Sequence, residues 1–154
     1  MTTPRPAGRL RRSIALAAVL PTLLAVTFVA ACAPKIDEAA AQDDLRATLA
    51  SIEGVTSVED FGTRTDYGKE IHAHLVMDPG STIDPRGVLE QGIQVLWTWP
   101  AWRPEVSMTV EQGTEFVGAT SLIDPSSQDA YLSPSDLTEL FGEWPGEPVA
   151  GLPP

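Results

Sequence analysis

Glu70-Ile71-His72-Ala73-His74-Leu75-Val76-Met77 decides how this chain folds. Ile71, Ala73, Leu75 and Met77 fall on one side and Glu70, His72, His74 and Val76 on the other, the period of two expected of a strand with only one face on a core. Asp78-Pro79-Gly80-Ser81 then breaks the run. A helix is expected from Asp84 or Pro85 to Thr98, with Asp84 as cap and Pro85 at the first helical position. Leu89, Ile93, Leu96 and Trp97 form its apolar stripe, Gly92 lets a neighbour approach closely, and Pro100 ends it. Glu105–Glu111 alternates again, with Val106, Met108 and Val110 inward, so the centre of the chain reads strand, helix, strand.

Upstream, Leu45, Leu49 and Ile52, with Ala41 one turn earlier, mark a helix that begins near Asp37 and stops at Gly54. Asp37, Glu38, Asp43 and Asp44 lie toward its N-terminal end, where the helix dipole favours negative charge. Val55 to Thr63 reads as a strand of imperfect alternation, followed by a turn at Thr65-Asp66-Tyr67-Gly68. Downstream, Gln112-Gly113-Thr114 turns the chain into a shorter strand, Glu115 to Thr120. From Leu122 onward, Pro125, Pro134, Pro145, Pro148, Pro153 and Pro154 interrupt regular structure. One helix is expected there, near 134–141, because Ser133-Pro134-Ser135-Asp136 supplies a cap, a helix-starting proline and an acid three residues after the cap. It leads into Leu137, Leu140 and Phe141 before Gly142.

These elements imply an α+β fold, a small two-layer sandwich with two helices on one face of a three- or four-stranded sheet, in the order α-β-β-α-β-β, plus the short C-terminal helix. The element order over residues 38–111 resembles the split βαβ or BON-like group of small envelope domains, although no motif matches residue by residue. The expected organisation is a leader at 1–31, a tether at 32–37, one domain at 38–121 and a proline-rich extension at 122–154.

Arg5, Arg9, Arg11 and Arg12 stand in an acid-free start, and no residue from Ile14 to Ala31 is charged. This is the order of a basic and then an apolar region in a signal segment. The apolar run would nearly span a bilayer, which takes about 20 residues, so its length alone also suits a retained helix. Its end discriminates: Val29-Ala30-Ala31-Cys32 resembles the lipobox of bacterial lipoproteins, which implies cleavage before Cys32 and attachment of lipid to its sulfur. A diacylglycerol supplies two acyl chains, each buried CH₂ being worth about 0.8 kcal/mol, where one chain binds only marginally. Cys32 is the sole cysteine, so no thiol then remains for a disulfide, a redox centre or zinc. Leu10-Arg11-Arg12-Ser13-Ile14 resembles a twin-arginine export signal, which leaves the export route open.

Removing residues 1–31 from the 154 leaves 123, enough for one domain. All 21 acids lie in that part against six basic residues, Lys35, Arg46, Arg64, Lys69, Arg86 and Arg103, a formal charge of −15. Such a body repels nucleic acid.

Three constellations bear on chemistry. His72 and His74, two residues apart on one strand face, place their rings about 7 Å apart, with Glu70 beside them, an N/O set that suits zinc, nickel or copper(II) if further ligands join. Glu105 or Glu111 would supply them if the two alternating strands are neighbours; otherwise the strand is simply polar and solvent-facing. Trp97, Trp99 and Trp102 crowd into six residues; Trp97 continues the helix stripe and a loop tryptophan often caps a small core, the structural reading, whereas Trp99 and Trp102, with Arg103 beside them, are the candidates for an exposed surface that stacks on a glycan or grips a peptide. Serines such as Ser81, Ser107 and Ser121 lie in no nucleophile elbow, and the many carboxylates single out no acid–base pair. No cofactor motif occurs. The expectation is a lipid-anchored extracytoplasmic protein held to the cell membrane through Cys32, a non-catalytic binding or accessory module for an envelope protein or glycan. A metal-binding lipoprotein using His72 and His74 is the alternative, and an envelope hydrolase a further one.

Overall fold

The computed structural model describes residues 36–66 and 68–146, so the leader, Cys32 and most of the tether lie outside the described residues. Helix α1 (Glu38–Ala50) starts where the Asp37 carboxylate accepts from the Ala40 amide at 3.2 Å. Strands β1 (Val55–Arg64) and β2 (Glu70–Met77) pair antiparallel, helix α2 (Pro85–Trp97) follows, and β3 (Glu105–Gln112) pairs parallel with β2. A parallel neighbour needs a crossover between its strands, and α2 is that crossover. Asp84 caps α2 by accepting from the Arg86 amide at 3.0 Å, as its sequence predicts.

Strand β4 (Glu115–Gly118) returns antiparallel along the far end of β3, and a 3₁₀ turn, Ala119–Leu122, follows. Both helices pack on one side of the sheet and on each other. Ile71, Leu75, Met77, Val106, Met108 and Val110 of the strands meet Leu49, Val88, Leu89, Ile93 and Leu96 of the helices, all fully buried. Strand β2 alternates strictly between buried and half-buried, which bears out the reading of its period. Gly92 is where α2 comes closest, since a methyl group there would meet Met108 Sδ at 2.7 Å.

Three expectations need correction. The sheet has five strands, because β5 (Tyr131–Leu132) pairs with β3 beside β4. Residues 122–146 are therefore built into the fold rather than extending from it: Leu132 and Leu137, the latter from helix α3 (Pro134–Phe141), are fully buried. Finally, Trp99 is fully buried and Trp102 nearly so, their rings edge to face at 5.5 Å, which removes both as an exposed platform.

The tryptophans fasten the C-terminal segment instead. Trp97 Nε1 donates to the Gly142 carbonyl at 3.3 Å, and Trp144 Nε1 donates back to the Trp99 carbonyl at 3.1 Å. Arg103 lies 5.6 Å from the centre of the Trp97 ring and donates to the Pro134 carbonyl and the Thr138 hydroxyl. Among the described residues no helix is long and apolar enough to cross a membrane.

Candidate functional site

With α1 and α2 on one side, the polar side chains of β2 and β3 line the other. The parallel register sets Glu70 beside Glu105, His72 beside Ser107 and His74 beside Thr109. Both histidines thus stand on the uncovered face, in the centre of the sheet, as the spacing of two requires.

His74 is 20% exposed and held on three sides. Thr109 Oγ1 lies 2.8 Å from Nδ1, Glu111 Oε2 lies 3.3 Å from Nε2, and the Phe116 ring stacks on the imidazole at 5.9 Å between centres. Glu111 and Phe116 face each other across the β3–β4 ladder, so one contact set ties β2, β3 and β4. A hydroxyl, an imidazole and a carboxylate in a row also occur in nucleophilic catalysis. Here the strand N–H groups lie in the plane of the sheet and serve its ladders, and the row links β2 to β3.

His72 is only 12% exposed. Its ring lies against the backbone of Gly62, where a methyl group would come 3.4 Å from Cε1 and Nε2. Asp60 Oδ1 is 3.8 Å from Nε2 and Glu70 Oε1 is 3.9 Å from Nδ1, and Nδ1 is buried without a hydrogen-bond partner. Burial, and then the nearby Arg64 guanidinium, hold its pKa below the usual 6.5 against the opposing pull of Asp60 and Glu70. His72 is therefore neutral at pH 7.

Asp60 reaches this site through the irregularity of β1. Between Glu59, opposite His74, and Gly62, opposite His72, the strand holds one residue more than its partner, and Asp60 takes a left-handed φ of 43°. Asp tolerates that conformation better than most residues. A second bulge falls between Val55 and Ser57. These two bulges account for the imperfect alternation of this strand, and together they hide from sequence which residues face His72.

Arg64, 57% exposed, sits 3.6 Å from both Asp60 and Glu70 and opens on a cleft at the β1–β2 end of the sheet. The cleft has a volume of about 540 Å³ and is lined by Arg64, Asp66, Gly68, Glu70, Glu105 and Tyr131. Tyr131, 45% exposed, arrives on β5 opposite Ser107, and its hydroxyl donates to Glu105. Partial burial first, and then the charge and hydrogen bond of Glu105, raise its pKa above 10.0.

His72, His74 and Glu70 do share one face, and Glu111 does join His74. Each imidazole nevertheless faces its own acid, and among the described residues no group of three or more His, Cys, Asp or Glu side chains could hold a metal ion. Arg103 packs on Trp97 and α3 rather than supporting a stacking surface. Arg64, Phe116 and Tyr131 enter the site unannounced by the sequence, because their placement depends on a bulge and on strands of four and two residues. Comparison with protein-family models, curated proteins and solved structures finds no match to this chain.

Proposed function

We propose that this chain is a lipid-anchored extracytoplasmic protein, attached through Cys32, whose domain binds a partner or ligand through the uncovered face of its sheet and performs no reaction. The observation that carries the binding role is the asymmetry of the sheet. One face is filled by α1 and α2, while the other presents half-buried polar side chains flanked by the exposed rings of Phe116 and Tyr131. Aromatic groups with adjacent polar partners are what recognition surfaces use. The location rests on the sequence, where the basic start, apolar run and small-residue pair precede the one cysteine.

Expression of the full chain in bacteria fed an alkyne-tagged fatty acid tests the attachment. The wild type takes up label and fractionates with membranes; Cys32→Ala takes up none and leaves the membrane fraction. An unlabelled Cys32→Ala chain that still sediments with membranes would mean that the apolar run at 14–31 is retained as a helix, and the lipid anchor would be wrong.

A further inference from the structure

We propose that the end of the uncovered sheet face around Val76 and Phe116 binds an extended basic polypeptide segment, one of whose arginine side chains packs on the Phe116 ring. The inference rests on the domain binding through this face and deepens it by naming the partner's chemistry; it is independent of Cys32.

The patch is built by register. Glu59 stands opposite His74, Val76 beside Glu111, and Glu111 opposite Phe116, so strands β1 to β4 bring one set of outward side chains together. Its middle is apolar. Val76 is half-buried, and the Phe116 ring, stacked on the His74 imidazole with 24° between their planes, stays 44% exposed. The stacking occupies one face of the ring and leaves the other for a partner.

Its borders are acidic. Glu59 is exposed on β1, and the Glu111 side chain is 45% exposed on β3. Among the outward residues of β1 to β4, the one Arg or Lys is Arg64, which lies at the opposite end of the sheet beside Asp60 and Glu70. Charge complementarity therefore selects a cationic partner. An arginine side chain suits the patch group by group: its methylene stem lies on Val76, its planar guanidinium stacks on Phe116, and its N–H groups donate to Glu111. Lysine has the stem and the charge, but no planar group to stack and no paired donors.

Area decides between a peptide and a second copy of the domain. Four strands abreast and at most about eight residues long make a face of about 20 Å by 25 Å, roughly 500 Å². A stable complex covers about 800 Å² on each partner, and two copies face to face would set these acids against their own kind. A segment of about six extended residues spans the same distance across the strands.

Fluorescence anisotropy of labelled heptapeptides with the full chain in non-ionic detergent, at about 0.15 M salt, tests this. One peptide alternates arginine with serine; the others replace arginine by lysine or by glutamate. The arginine peptide should bind with a Kd below about 100 μM, the lysine peptide about fivefold more weakly and the glutamate peptide not at all. Phe116→Ala should weaken the arginine peptide about fivefold and remove its preference over lysine, a change of ratio that general loss of structure does not produce; Phe116→Tyr, which keeps the ring, should bind as the wild type does. Glu111→Gln should weaken both basic peptides about tenfold. Glu90→Gln, exposed on α2 in the other layer, removes the same charge and should change nothing. No binding of the arginine peptide at about 1 mM, equal binding of the arginine and glutamate peptides, or equal losses in Glu90→Gln and Glu111→Gln would each overturn the proposal. A labelled neutral chitin oligosaccharide separates it from the reading it rests on. If the sugar alone binds and Phe116→Ala abolishes that, the face is the binding surface and the basic partner is wrong; if the arginine peptide binds Phe116→Ala undiminished, the face is wrong as well.

Discussion

His72 shows at a single residue how position on a strand and chemistry combine. Alternation alone puts it on the polar face, but its neutral state comes from Gly62 beneath it and Arg64 beside it, neither of which alternation predicts. Because its pKa is lower in the folded than in the unfolded chain, the unfolded state takes up the proton first as pH falls. Stability contributed by His72 is therefore intact above its ordinary value of 6.5 and lost as pH drops through 6.5 toward the folded value. Urea midpoints measured on both sides of pH 6.5 should decline toward acid in the wild type, and the decline should be shallower in His72→Gln. An equal decline in the two would assign the effect to the surrounding carboxylates. Gly118 is a second case. A methyl group there would collide with the carbonyl of Gln128, so Gly118→Ala should destabilise by about 1–3 kcal/mol in the same assay.

Among the elements, those carried by periodicity or capping were legible in the sequence: α2, β2 and β3 from their spacing, and α3 from Ser133-Pro134-Ser135-Asp136. The structure gives α3 a full capping box, with Ser133 and Asp136 each accepting from the other's backbone amide. Strand β5 was not legible, since two residues carry no period and the prolines around them read as loop. For a related reason the sequence left Trp99 and Trp102 open between core and surface: which face of an irregular connection is covered depends on α3 and the 142–144 segment folding over it. This integration has consequences that chemical denaturation can measure. Ser133→Ala should cost about 1 kcal/mol through loss of the cap. Leu137→Ala should cost about 2–5 kcal/mol, since the side chain is fully buried, whereas a loosely attached extension would leave the midpoint unchanged.

For the whole molecule, the formal charge of −15 beyond residue 31 sets this part of the chain against an anionic membrane surface, so the proposed attachment requires a group that outweighs that repulsion. Two acyl chains on Cys32 would do so, where electrostatics would not. The proposed anchor would hold the domain close to the membrane and leave the uncovered sheet face open to a ligand. The most direct measurement of this account is the intact mass of the protein extracted from bacterial membranes. It should correspond to a chain that begins at Cys32 and carries a diacylglycerol on that residue; the mass of all 154 residues with an unmodified cysteine would contradict it.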